Sequence, residues 1–86
     1  MAIDPTETDH LVEIGPGQGA ITEPLLASNC QLDVVEIDRD LVARLTDKFA
    51  HNKRFTMHSA DALTFDFAAL TNHQKLRIVG VNSLAD

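Results

Sequence analysis

The chain has 86 residues, 44% of them hydrophobic and 23% charged, a balance that supports one small globular domain and excludes an intrinsically disordered chain. Seven Lys and Arg against 13 Asp and Glu give a net charge of -6, so the chain as a whole repels a phosphate backbone and RNA binding by it alone is disfavoured. The single cysteine, Cys30, excludes an internal disulfide framework, and residues 1–8 show no leader pattern while no apolar run reaches membrane length; the expectation is a cytoplasmic protein with no membrane partner.

His10-Leu-Val-Glu-Ile14 is a short apolar run stopped by Gly15, which predicts a buried strand and a tight turn after it. From Gly19 to Ser28, residues Ala20, Ile21, Leu25 and Leu26 recur at helical spacing and predict a first helix, with Pro24 in its first turn or at a kink. Residues Gln31 to Ile37 are rich in β-branched side chains and form a second strand. Asp38 then caps a second helix whose apolar face includes Leu41, Val42, Leu45 and Phe49. Arg54 to His58 is a third strand, Ser59 to Asp61 a loop, Phe65 to Leu70 a short helix and Leu76 to Val79 a fourth strand.

Strands alternating with helices predict an α/β fold over residues 1–80, a parallel sheet of about four strands with flanking helices and right-handed crossovers; residues 81–86 read as a polar tail. The continuous apolar runs of the first two strands suit central positions. The first strand then sits where the strand order reverses, and ligands of such sheets bind at the carboxyl ends of the strands at that point.

That point carries Glu13-Ile-Gly-Pro-Gly-Gln-Gly19. Glycines in such a turn permit positive φ and let a ligand approach the backbone with no Cβ in the way, and the amides that follow can receive an anionic group. Glu36 closes the second strand, where a carboxylate can accept both hydroxyl hydrogens of a ribose. Asp61, in Ser59-Ala-Asp-Ala62, is placed to accept an adenine exocyclic N–H while Ala62 offers its backbone amide. Each acid alone is most simply a solvated charge; in series with the glycine turn they trace a nucleoside-shaped cleft. Gly15-x-Gly17-x-x-Ala20 also satisfies the dinucleotide fingerprint, which keeps an NAD-binding module open. Glu13 argues against it, because a carboxylate there crowds a pyrophosphate but suits the ammonium end of S-adenosylmethionine (AdoMet).

Three segments, Val12-Glu-Ile-Gly-Pro-Gly-Gln-Gly-Ala-Ile-Thr-Glu-Pro-Leu25, Val35-Glu-Ile-Asp-Arg-Asp-Leu41 and Ala60-Asp-Ala62 followed by Phe65, follow one another in order. They resemble the class I, Rossmann-like AdoMet-dependent methyltransferases, and more narrowly the ribosomal RNA adenine N6,N6-dimethyltransferases, the family of the kasugamycin-sensitivity enzyme and the erythromycin-resistance methylases. The resemblance runs from about Ile3 to Gly80 and implies that Glu13, Gly15, Gly17, Glu36, Ile37, Asp61 and Ala62, with Pro16 and Gly19 of the same turn, shape an AdoMet pocket. After its fourth strand the family carries an Asn-Leu-Pro-Tyr type motif that holds and stacks the target adenine. Here the chain reads Gly80-Val-Asn-Ser-Leu84, with no Tyr or Trp anywhere, so no catalytic residue is assigned.

The leading reading is therefore a truncated, AdoMet-binding half-domain, with weak cofactor binding and no methyl transfer by itself. A second is a self-associating module, a homo-oligomer formed through a bare sheet edge or helix face. A third is a folded gene remnant without cofactor binding. His10, His51, His58 and His73 lack metal-ligand spacing and no metal site is expected. Arg39, Arg44 and Lys48 form a solvated face, with Asp40 and Arg44 as an i,i+4 pair.

Overall fold

The computed structural model describes residue 6, residues 8–70 and residues 76–80; the tail at 81–86 and Asn82 lie outside the described residues. Four strands, β1 (His10–Ile14), β2 (Gln31–Glu36), β3 (Phe55–Ser59) and β4 (Leu76–Gly80), alternate with helices α1 (Thr22–Ala27) and α2 (Arg39–Lys48) and a 3₁₀ turn at Phe67–Leu70. All pairings are parallel, in the order β3-β2-β1-β4. The chain steps outward from β1 to β3 and returns to the other side of β1, which places the reversal between β1 and β4. This is the expected α/β architecture.

Strand parity divides the side chains into two layers. Leu11, Leu32 and Val34 face the helices and join Leu25, Leu26 and Cys30 in one core, with Phe49, Phe55 and Met57 packed against it. On the opposite face lies a polar cluster. Asp33, buried in β2, accepts hydrogen bonds from His10 Nε2 of β1 at 2.5 Å and from His58 Nε2 of β3 at 2.7 Å. The His58 ring then meets Phe65 with 5.0 Å between centroids, and Phe65 meets Phe67 edge-on at 5.0 Å.

α2 follows from its sequence. The Asp38 carboxylate accepts the amides of Asp40 and Leu41, Asp40 and Lys48 stand at the dipole-favoured ends, and Leu45 is buried. Among the described residues the expected Asp40–Arg44 ion pair does not form; Lys48 reaches Glu23 at 4.0 Å instead.

α1 is shorter than the periodicity predicts. Gly17 and Gly19 adopt φ of 60° and 90°, which no right-handed helix contains, so the helix begins only at Thr22. Pro24 then falls in the first turn, where an amide has no helical partner to lose. Asn29, at φ 63°, ends the helix with its amide on the Leu26 carbonyl. Ile37 lies just past β2 rather than in it, and the predicted Phe65–Leu70 helix is reduced to a single 3₁₀ turn.

Candidate cofactor site at the strand ends

At the end of β1 the Gly15 amide makes a last rung to the Val35 carbonyl at 3.2 Å, and the chain then leaves the sheet. Gly15 and Gly17 have φ of 65° and 60°, and a Cβ built on either meets nothing within 4 Å. Both therefore border open space, as a ligand-admitting turn requires. Gly19 does a different job. At φ 90° its Cβ would lie 3.0 Å from Leu45 Cδ2 and 3.5 Å from the Phe49 ring, so its missing side chain lets α2 close on the turn. Pro16 is buried within the same turn.

Glu13 lies beneath that turn with 0% exposure. Thr22 at the start of α1 donates from Oγ1 to Glu13 Oε1 at 2.6 Å, while Oε2 is buried with no partner among the described residues. Removal from water pushes the Glu13 carboxyl above the usual carboxylate range, and the Thr22 hydrogen bond pulls it back in part. An acid held this way, with one buried oxygen unpartnered, is costly to the fold.

Gly15, Glu36, Ile37, Asp61 and Ala62 come together in one cleft of about 150 Å³, completed by Ile14, Val35 and Ala60. Glu36 is 8% exposed, and its Oε2 accepts the Asp38 amide at 2.9 Å. One carboxylate thus organises the loop into α2 and faces the cleft. The Ala60 amide donates to the Glu36 carbonyl at 3.0 Å, which brings the loop after β3 against the end of β2. Asp61 is exposed; its Oδ1 accepts the Leu63 amide at 2.9 Å and its carbonyl accepts the amides of Thr64 and Phe65. Ile37 is 65% exposed at the rim, and Leu63, next to Ala62, is 93% exposed. Five of the nine residues expected to bind cofactor share the cleft; Glu13, Pro16, Gly17 and Gly19 stand below or beside it.

The buried His10–Asp33–His58 cluster was not anticipated from the sequence. The one signal for it is an acid at position 33 inside an otherwise apolar strand; which histidines reach that acid depends on strand register. Among the described residues no group of His, Cys, Asp and Glu is arranged to hold a metal ion, and no helix is long and apolar enough to cross a membrane.

Comparison with known proteins shows the family of the chain. A family model described as ribosomal RNA adenine dimethylase matches residues 1–82. "Ribosomal RNA small subunit methyltransferase A" of Marinobacter nauticus is 56% identical over 79 residues, covering 92% of this chain and 29% of that protein. The protein of the same name from Pseudomonas aeruginosa is 54% identical over 80 residues, covering 92% and 30%. The crystal structure of the 23S rRNA methyltransferase ErmE superposes with a TM-score of 0.71 at 28% identity, covering 87% of this chain and 30% of that one. The chain thus spans under a third of the length of the relatives it matches. With the family model running from the first residue through the last strand of the sheet, the chain belongs to the ribosomal RNA adenine dimethylase family.

Proposed function

We propose that this chain forms the AdoMet-binding part of an rRNA adenine N6,N6-dimethyltransferase site. The observation that carries the reading is Glu13, a buried acid with an unpartnered oxygen beneath a glycine turn that opens toward a cleft holding Glu36 and Asp61. When bound, AdoMet supplies an electrophilic methyl group on its sulfonium. Gly15 and Gly17 admit the methionine part against bare backbone, and the Glu13 carboxyl buried beneath the turn favours its ammonium electrostatically. Glu36 accepts the ribose hydroxyl hydrogens, Asp61 accepts the adenine amino hydrogen, Ala62 presents its amide, and Ile37 gives the base an apolar wall.

These residues hold and orient a cofactor; none of them moves a proton to or from a target base. A cleft of about 150 Å³ is smaller than the roughly 300 Å³ at the low end of small-molecule sites, so binding is expected to be weak, with Kd on the order of 100 μM. Calorimetric titration of AdoMet into the purified chain, with a Glu36→Ala/Asp61→Ala double variant beside it, tests the proposal. Saturable binding that the variant abolishes is expected; equal heats from both proteins, or none from either, overturn it. The chain alone is expected to transfer no radiolabelled methyl group to small-subunit rRNA, and measurable transfer would contradict the half-site reading.

A further inference from the structure

β3 is an edge of the sheet, and its ladder with β2 engages only alternate residues. The Leu32 amide donates to the Arg54 carbonyl at 2.8 Å, and at the other end the Ala60 amide donates to the Glu36 carbonyl at 3.0 Å. Bonding in a parallel ladder alternates along the strand, so even-numbered positions face β2. The amides and carbonyls of Met57 and Ser59, and the carbonyl of Phe55, face outward. The Phe55 amide is taken by the Asn52 carbonyl at 3.2 Å.

Two further features lie along this edge. Between α2 and β3 runs a groove of about 450 Å³ whose apolar lining includes Val42, Phe49, Phe55 and Met57. The ends of the strand carry opposite charge: exposed Lys53 and Arg54 precede it, and exposed Asp61 and Asp66 follow it. β4, the other edge, lacks this pattern among its described residues, and its Arg77 is already held by Asp9 at 3.0 Å.

We propose that the β3 edge binds the β3 edge of a second copy of this chain, antiparallel, about a two-fold axis at Met57. In that register the outward amide and carbonyl of Met57 exchange hydrogen bonds with those of Met57 in the second copy, and the Phe55 carbonyl receives the Ser59 amide of the second copy. Beyond the strand ends at Phe55 and Ser59, exposed Lys53 falls on the side of Asp61 of the second copy, and by symmetry this happens twice. Centring the axis on Phe55, Thr56, His58 or Ser59 instead also uses outward groups but removes both charge pairs. The charge pattern therefore selects one register out of five. The two grooves adjoin across the axis, so Met57 and Phe55 lose water on pairing. Such an interface is isologous and closes on itself. It stands on the sheet edge and the charges at its ends; Asp61 is shared with the proposed cofactor cleft, so Lys53→Asp and Met57→Pro read the dimer apart from that site.

Sedimentation velocity of the 86-residue chain across a concentration series tests this. A reversible dimer of twice 9.4 kDa is expected, with Kd on the order of tens of micromolar for so short an edge. Met57→Pro removes an outward amide while leaving the bonds to β2 in place, and is expected to give a monomer. Lys53→Asp and Asp61→Lys each set like charges opposite one another twice and should weaken the dimer about tenfold, while the double reversal restores it to within about threefold. Far-UV circular dichroism checks that each variant folds; should Met57→Pro unfold, the reversals and their mutual rescue decide. A monomer up to about 1 mM, or a dimer indifferent to these substitutions, overturns the proposal.

Discussion

Glu13 and Gly19 illustrate opposite demands on single residues. The folded chain holds the Glu13 proton more tightly than the unfolded chain does, because burial disfavours the carboxylate. Its contribution to stability is therefore fully present below the ordinary value of 4.5 and is lost as pH rises through the raised folded value. Glu13→Gln removes that loss. The variant is expected to gain about 1 kcal/mol at pH 7, a Tm rise of roughly 4–8 °C for a domain of this size, with a flatter pH dependence between mildly acidic and neutral pH, while AdoMet binding weakens about tenfold. Thermal melts across pH, paired with titrations, check both halves; a variant less stable at pH 7 would show that the acid serves the fold. Gly19→Ala acts in the other direction. A Cβ at φ 90° and 3.0 Å from Leu45 Cδ2 should cost about 2 kcal/mol in urea unfolding, whereas Gly17→Ala, with free space around it, should cost only about 1 kcal/mol, its backbone strain. The sequence shows that both glycines belong to a turn. Which one meets open space and which meets α2 is visible only once α2 is packed.

Among the elements, β1, β2 and α2 were legible because each carries a strong local signal: a continuous apolar run, a β-branched run, and an acid followed by helical periodicity. α2 depends on its cap, and Asp38→Ala should cost about 1 kcal/mol, measured as a lower urea midpoint with an unchanged slope. α1 and the segment at 65–70 were overestimated, because apolar periodicity reports which face is buried and not where φ turns positive or where a helix has room to continue. The His10–Asp33–His58 cluster ties three strands on the face away from the helices. Asp33→Ala would leave both histidines without their shared acceptor, and a loss of about 3 kcal/mol is expected, read from the urea midpoint. No loss there would mean that the cluster is incidental to the sheet.

The topology of the whole molecule, with β1 at the reversal point and the glycine turn at its carboxyl end, was readable from the alternation of elements, and so was the grouping of Glu36 and Asp61 with that turn. The burial of Glu13 with one oxygen unpartnered was not, because it depends on Thr22 reaching back from α1. A domain this small has little stability to spare, so a ligand that binds only the folded state should raise its Tm measurably, by about 2.7 kcal/mol of stabilisation at a hundredfold excess over Kd. In the proposed site the cofactor lies across the carboxyl ends of β1, β2 and β3. A two-dimensional ¹H–¹⁵N NMR titration of the labelled chain with AdoMet tests that most directly. Saturable shifts concentrated at the amides of Gly15, Gly17, Glu36, Ile37, Asp61 and Ala62 are expected. Shifts confined to the opposite end of the sheet around Lys48 to Arg54, or none at all, would contradict it.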